Sequence, residues 1–484
     1  MLIKEDQDLI GSYLEDSSNL KGGFAEAVVI PESVTELIQA VEEANRRRQS
    51  ITVSGGGTGT TGSRIPFGGI VISLERLNDI DSPDVAGRSV SAQAGALVED
   101  VKKRCEEAGL FYPCHPTERT AFLGGTIATN ASGARSFKYG PTRKYVKGLK
   151  MVLSTGEALE VRRGEKFLTA RDSSIKLAGG RVIEIPLPRY KMPRVKNSAG
   201  YFVCGGSDLI DLFIGQEGTL SIITDIGLAL EKLPFKIFSS FLFFDREEDS
   251  WNFALEARKR GALSIEYFDK NALKLLGEGK NSVPAGSEGA IFFESEMTEE
   301  GEERSTEEWM GVVERHKVPL DRTWAAMTPE DAENFNTLRH SIPEAINDIV
   351  RRRGFGKLST DIAVPEKNFV RMMRVYTGTL SSAGIEHVMF GHIGECHIHV
   401  NLLPRSGEEL ERSRQICLGF VKEAVALGGT VSAEHGIGKT RRGYLELMYG
   451  REGVMEMARI KKALDPGCIL GPGNIFTGEV LDSV

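Results

Sequence analysis

Gly124–Gly125–Thr126–Ile127–Ala128–Thr129–Asn130–Ala131–Ser132–Gly133 is the stretch on which the fold turns. Residues this small at this density let a backbone approach a ligand closely, and little else offsets the entropy such a segment loses on folding. A tight bulged strand would explain one of these glycines, but not the set. Upstream, Ser54–Gly55–Gly56–Gly57–Thr58–Gly59–Thr60–Thr61–Gly62 has the same texture. The two runs together imply one long cofactor between two backbone cradles. Gly57, Gly59 and Gly62 also fit a dinucleotide fingerprint behind a strand at Ile51–Val53. That fingerprint needs a helix opening at its third glycine. Pro66 and a new strand at Ile70–Leu74 leave no room for one, so the expectation is a strand–loop–strand whose own N–H groups hold a phosphate. Gly438–Lys439–Thr440 ends like a P-loop, but that motif's first glycine would fall at Ala433, and a nucleotide hydrolase is set aside.

Around these runs lies an ordinary globular chain. At about 150 residues per domain, 484 residues make about three domains or two large ones, with enough apolar sequence for a sizeable core. A formal charge of −8 gives no general pull toward nucleic acid or anionic lipid. No run of residues reads as a spanning helix, and Met1–Asp16 has early carboxylates and no apolar core, so no signal peptide is expected. The cysteines (Cys105, Cys114, Cys204, Cys396, Cys417, Cys468) form no CxxC pair. That argues against an iron–sulfur cluster and suits a reducing cytoplasm.

Ser33 to Glu36 has capping-box spacing before a helix carrying Val34, Leu37, Ile38 and Val41 on one face. Leu97–Ala108 reads as a helix stopped by Gly109, and strands are expected at Leu149–Leu153, Ala158–Val161 and Ser221–Leu230. From Lys236 the texture changes: an apolar strand Ile237–Phe244, a helix at Trp251–Arg260, strands near Ile265 and Ile291, a charged helix Glu299–His316, a strand Leu358–Val364, a helix Phe369–Leu380, and strands at Val388 and Ile398. This pattern implies an α+β sheet domain covered by helices on one face. The last forty or so residues read as helical to Leu464 and then rich in turns.

Four of the eight histidines, His392, His397, His399 and His435, fall close together beside Glu395 and Glu434 and among glycines. A lone histidine is usually structural; this group is better explained as a metal and catalytic centre. His397 and His399 share a face if their segment is a strand, and His392 lies across a glycine-containing turn. Imidazole with one carboxylate suits a divalent ion such as zinc, with positions left open for substrate.

The two glycine runs, the segment HPTERTAFLGGTIATNASGARSFKYGPTRKYVKGLKMVLSTGE (115–157), GYFVCGGSDLIDLFIGQEGTLSIIT (200–224), GHIGECHIHVN (391–401) and SAEHGIGKTRRGYL (432–445) resemble the vanillyl-alcohol oxidase / p-cresol methylhydroxylase (PCMH) flavoproteins, in the D-2-hydroxyacid dehydrogenase branch. That branch includes D-lactate dehydrogenases, D-2-hydroxyglutarate dehydrogenases and the flavin subunit of glycolate oxidase. The resemblance implies an α+β architecture: a PCMH-type FAD-binding domain of two α/β subdomains (1–233), an antiparallel-sheet cap domain with the metal site (234–440), and a helical segment (441–484) returning to the first domain. Ser54, Gly55, Gly56, Gly57, Thr58 and Gly59 would hold the FAD pyrophosphate, with Gly124, Gly125 and Thr126. Asn130, Gly133, Tyr139 and Gly140 would lie along the isoalloxazine and ribityl portions, and Glu217, Gly218, Thr219 and Ile222 would reach the adenine end. Thr58 stands where covalent members often carry a histidine, which implies non-covalent FAD, and Gln216 replaces a more usual serine.

By the same resemblance His392, His399 and Glu434 bind the ion, zinc or manganese, and His435 is the base. His397 stands where asparagine is common and reads as either a weaker ligand or an outer partner. Asn401 and Arg339 match substrate-contacting residues, Arg339 gripping the carboxylate unless it is a surface arginine on a helix, and Lys357 aligns loosely with a second cation. The implied reaction oxidises a small 2-hydroxyacid to the 2-oxoacid. Its electrons leave to a quinone, an electron-transfer protein or a partner subunit; peripheral membrane association and a homodimer are left open. The competing reading is a redox-neutral transferase of the alkyldihydroxyacetonephosphate synthase type, against which Glu434 argues. A third is a flavin subunit active only in a larger glycolate oxidase.

Overall fold

The computed structural model describes residues 1–114, 118–276, 283–298 and 301–484. His115, Pro116 and Thr117 of the quoted segment, and Glu299 and Glu300, where the charged helix was expected to open, lie outside the described residues.

The first sheet forms where β-branched runs can be buried on both faces. Ile51–Ser54 and Ala27–Ile30 flank Ile70–Ser73 in parallel, and Leu2–Lys4 lies antiparallel at the edge. The helix Val34–Arg46 covers it through Leu37, Val41 and Ala44. Its capping box is only half formed. Ser33 Oγ accepts from Glu36 N–H at 3.2 Å, but the Glu36 carboxylate accepts from Glu32 N–H at 2.8 Å, closing one residue early.

A second, wholly antiparallel sheet runs Ser89–Gln93, Ile222–Ala229, Val146–Val152, Ala158–Arg162. Its last two strands are joined by the Ser154–Glu157 turn, where Gly156 takes a φ of 85°. The decisive glycine run folds as a short helix, Leu123–Thr129, ending at Asn130 in the left-handed conformation. Gly124 packs so closely on Ala94 that an added Cβ would stand 2.6 Å from the alanine Cβ.

The cap sheet contains eight described strands, ordered Thr323–Ala325, Lys236–Phe244, Gly289–Met297, Ser264–Asp269, His387–Gly391, His397–Leu402, Leu358–Ser359, with Ile362–Ala363 also on His397–Leu402. The expected single strand Leu358–Val364 is thus interrupted, at the buried Asp361. Helices cover both faces of the sheet, not one as expected. Leu242 and Phe244 share a core with Trp251, Phe253 and Trp309, while Phe241 and Phe243 pack with Phe335, Ile342 and Ile346. The apolar run Phe241–Phe244 has no polar face to leave in water, so both sides must be covered. The second cover is the helix Pro329–Arg353, which was not among the expected elements and accommodates Pro343 inside it. It starts at a full capping box between Thr328 and Asp331. The helix Gly407–Ala426 was also unanticipated.

After the helix Arg442–Leu464, the chain returns to the first sheet. Ile51 N–H donates to Ile469 O at 2.7 Å, and Gly471 N–H donates to Ile51 O at 2.9 Å.

Phe241 is fully buried between Phe268, Phe292, Trp324 and Phe335. Phe241→Ala is expected to destabilise the cap by about 3–5 kcal/mol, read as a lowered urea midpoint. Phe235→Ala, at a residue 59% exposed, should change stability by less than about 0.5 kcal/mol.

Candidate active site

The two glycine runs converge. An added Cβ on Gly55 would lie 3.9 Å from Gly125 Cα, an ordinary contact, whereas one on Gly56 would overlap Thr120 O, so position 56 requires glycine. Added Cβ atoms on Gly59 and Gly125 would meet no protein atom within 4 Å. Residues 55–69, all described, form no helix, as the spacing of Pro66 and Ile70 predicts. Bare backbone bordering open space is what a long phosphate-containing cofactor such as FAD requires, and these residues fit it.

Several expected contacts have other partners. Ser54 Oγ accepts from Arg64 Nε at 2.7 Å, and Thr126 Oγ1 donates to Leu123 O at 2.8 Å. Asn130 Oδ1 accepts from Arg143 N–H at 3.0 Å, Gly133 N–H donates to Ser136 Oγ at 2.9 Å, and the Tyr139 hydroxyl donates to Glu296. Glu217 accepts from Ser63 Oγ at 2.9 Å and from the N–H groups of Ile437 (2.8 Å) and Gly438 (2.7 Å). Burial raises its pKa against the pull of these bonds. Thr219 Oγ1 pairs with the Tyr201 hydroxyl at 2.6 Å, and Ile222 is buried opposite Val152. Gly140 and Gly218 adopt positive φ of 86° and 70°, and Thr58 is half-buried. Gln216 organises its turn: its Oε1 accepts from Leu220 and Ser221 N–H, at 2.6 and 2.9 Å.

The histidine cluster assembles as its spacing predicts. His397 and His399 lie on one face of His397–Leu402, with ring centroids 4.4 Å apart. His392 enters from the turn after Gly391, whose φ of 132° and missing Cβ admit the His399 ring. Glu434 Oε1 lies 3.4 Å from His392 Nε2 and 3.3 Å from His399 Nε2. One ligand atom each from His392, His397, His399 and Glu434 falls within 4.8 Å of the others. His397 Nδ1 is buried without a hydrogen bond and Nε2 lies 3.0 Å from Asp361 Oδ1, so His397 joins the cluster on one side and an outer carboxylate on the other. Converging imidazoles and a carboxylate with open donor atoms fit a divalent ion.

The outer partners escaped the sequence reading. Glu266 Oε1 bonds His392 Nδ1 at 2.7 Å, Thr360 O faces His399 Nδ1 at 3.2 Å, and Lys196 Nζ lies 2.9 Å from Glu434 Oε2. Asp361 Oδ1 is 3.0 Å from His397 Nε2, and Oδ2 is 3.2 Å from His435 Nδ1. Glu266 and Asp361 had a weak signal, each an acid next to isoleucine in a segment with strand-like residues. Lys196, in an irregular stretch, had none.

Electrostatically the cluster is built around anions. Burial opposes charge on Glu434 and Asp361, yet Lys196 and His392 hold the first, and His435 and Arg441 the second, well below the carboxylate range. Burial also works against protonated His392, but Glu266 and Glu434 outweigh it and push its pKa up to about 10. Burial lowers His397 to about 3.

Asn401 is buried on the same strand face, its Nδ2 3.5 Å from Val388 O. Arg339 is not a solvent-facing arginine: its Nε is buried without a partner, its Nη2 meets His340 Nε2 at 2.7 Å, and its charge is felt at Glu266 and Glu294. Lys357 donates to Asn347 Oδ1 at 3.2 Å, and burial lowers its pKa.

Comparison with known proteins agrees with this geometry. Residues 25–162 match the model of an FAD binding domain, and residues 234–475 that of the FAD linked oxidases, C-terminal domain. The chain is 27% identical to the glycolate oxidase subunit GlcD of Bacillus subtilis, over 96% of this chain and 92% of that one. It is 29% identical to a D-lactate dehydrogenase of Archaeoglobus fulgidus (93% and 90%), and 27% identical to a D-2-hydroxyglutarate dehydrogenase of Stutzerimonas stutzeri (97% and 95%). A solved structure of alkyldihydroxyacetonephosphate synthase shares the fold with a TM-score of 0.68 at 16% identity, covering 97% of this chain and 82% of that one. Among the described residues no helix is long and apolar enough to cross a membrane. Two convergent glycine loops, a histidine–glutamate cluster and these matches lead to one conclusion: the chain belongs to the FAD-linked oxidases and is an oxidoreductase of the PCMH-type flavoprotein fold.

Proposed function

We propose that the protein oxidises a D-2-hydroxyacid of the lactate, glycolate or 2-hydroxyglutarate class to its 2-oxoacid. The observation that carries this reading is the convergence of His392, His399 and Glu434 beside His435, whose Nε2 lies 3.6 Å from Glu434 Oε1. Bound FAD supplies the two-electron acceptor, a hydride sink at its N5 atom. A divalent ion, zinc or manganese, would be held by His392, His399 and Glu434, with His397 as a further donor, and supplies Lewis acidity toward the substrate hydroxyl.

The remaining work falls to the chain's own side chains. Arg339 has an unpartnered donor for the substrate carboxylate, which a planar guanidinium grips with paired hydrogen bonds. Asn401, two residues along the strand from His399 and buried, supplies a further amide toward the substrate. His435 receives the hydroxyl proton at Nε2, because its Nδ1 faces Asp361, which favours the tautomer with the proton on Nδ1. Burial of His397, Asp361 and Asn401 keeps water from that side of the cluster.

Thr58 at the position of a tethering histidine supports dissociable FAD. Electrons would leave to a quinone, an electron-transfer protein or a partner subunit. The transferase reading shares the fold, but Glu434 among the histidines favours metal-assisted oxidation.

Acid precipitation should release the flavin into the supernatant; flavin retained in the pellet would overturn the non-covalent assignment. Arg339→Lys should lower kcat/KM for a 2-hydroxyacid by about 1.5–3 kcal/mol, since an ammonium cannot reproduce the bidentate grip. Unchanged kinetics would remove Arg339 from the site. Prolonged chelation, or His399→Ala, should abolish anaerobic flavin reduction by D-2-hydroxyacids with FAD still bound, and Zn²⁺ or Mn²⁺ should restore only the chelated wild type. His435→Ala should keep metal and flavin while slowing reduction by roughly 10²–10⁴-fold. Full-rate reduction by metal-free protein would refute the metal assignment.

A further inference from the structure

Lys196 is contributed by the first region, yet it ends in the histidine cluster. Its segment is tied to the Glu434 loop: Ser198 N–H donates to Ser432 O at 2.9 Å, and Thr430 Oγ1 donates to Asn197 Oδ1 at 2.5 Å. The side chain is only 5% exposed, and its ammonium faces two carboxylates, Glu395 Oε2 at 2.5 Å and Glu434 Oε2 at 2.9 Å. The two contacts differ. That to Glu395 is an aligned hydrogen bond; that to Glu434 is an ion pair without hydrogen-bond alignment.

The two oxygens of Glu434 are therefore inequivalent. Oε1 faces His392, His399 and His435 at 3.3–3.6 Å, whereas Oε2 lies 2.9 Å from the buried cation and 4.0 Å from His397 Nδ1. A carboxylate can bind a cation through one oxygen or both, and affinity follows the charge and number of its donors. A fixed positive charge beside one donor lowers that affinity, strongly so where water is scarce.

We propose that Lys196 is a positioning residue that weakens the cluster's hold on a divalent cation and confines Glu434 to one oxygen, with Glu395 moderating its charge. This rests on the metal reading given above. It explains why a buried lysine is aimed at a candidate ligand. The cluster keeps open positions for the substrate's hydroxyl and carboxylate oxygens instead of closing around the ion.

The sign of the effect makes the test sharp, because a structural prop and a charge that weakens binding predict opposite results. With FAD-loaded protein, Zn²⁺ affinity is measured by competition with a chromophoric chelator, and oxygen coordination by X-ray absorption. Lys196→Met should bind Zn²⁺ about tenfold more tightly, gain an oxygen neighbour and turn over more slowly. Lys196→Arg, which keeps the charge, should stay near the wild-type affinity. Glu395→Gln should bind several-fold more weakly, since the ammonium then acts on Glu434 alone. Weaker Zn²⁺ binding by flavin-replete Lys196→Met overturns the proposal and leaves the metal reading intact. If Lys196→Met fails to fold, unchanged or tighter binding by Glu395→Gln overturns it. Wild-type protein that binds no Zn²⁺ overturns both.

Discussion

The candidate site depends first on one buried carboxylate. Asp361, 2% exposed, accepts from Ser432 Oγ and Arg441 Nη1 at 2.7 Å each and from His435 N–H at 2.9 Å, and stands 3.0 Å from His397 Nε2. It interrupts a strand to do so, separating Leu358–Ser359 from Ile362–Ala363. The loop carrying Glu434 and His435 has no regular structure of its own, and these bonds set it against the histidine strand. Burying such a group costs stability unless its lone pairs are satisfied. Here donors from several segments converge on it, so the cost is offset and the geometry is specified.

A second set of ties joins the glycine loops to that framework. Glu217, in the turn expected to meet the cofactor, accepts from Ile437 and Gly438 N–H, just beyond His435. Asn474 Nδ2 donates to Ser63 O at 2.9 Å and Glu217 O at 3.0 Å, drawing the C-terminal segment into the same knot. On the other side Arg135 holds Glu294 of the cap sheet with bonds of 2.9 and 3.1 Å, and Lys138 and Tyr139 reach Glu296. Segments expected to line the flavin are thus bonded directly to the sheet that carries the histidines. Hydride transfer requires close, oriented partners. The ties supply that orientation from protein atoms alone.

The sequence made legible what local chemistry dictates. Gly56 and Gly124 announced a close backbone approach, since an added Cβ there would collide with Thr120 or Ala94. His397 and His399 announced a shared face because strand side chains alternate. Other features depend on distant partners and leave no local mark. Lys196 is one residue in an irregular stretch, and only the tertiary fold brings it to Glu434. Pro343 is tolerated inside a long helix because that helix packs on the Phe241 face. The same packing hid the second helical layer. Glu266 and Asp361 lie between these cases: an acid in a strand-like segment is a weak signal, but its partner is not written beside it.

The central claim is that the histidine cluster is a metal centre serving the flavin. Anomalous diffraction at the zinc and manganese edges, from crystals of FAD-loaded protein that oxidises D-2-hydroxyacids, tests it most directly. A metal centre there gives a single strong peak within bonding distance of His392, His399 and Glu434. An empty cluster in crystals of fully active protein would contradict it.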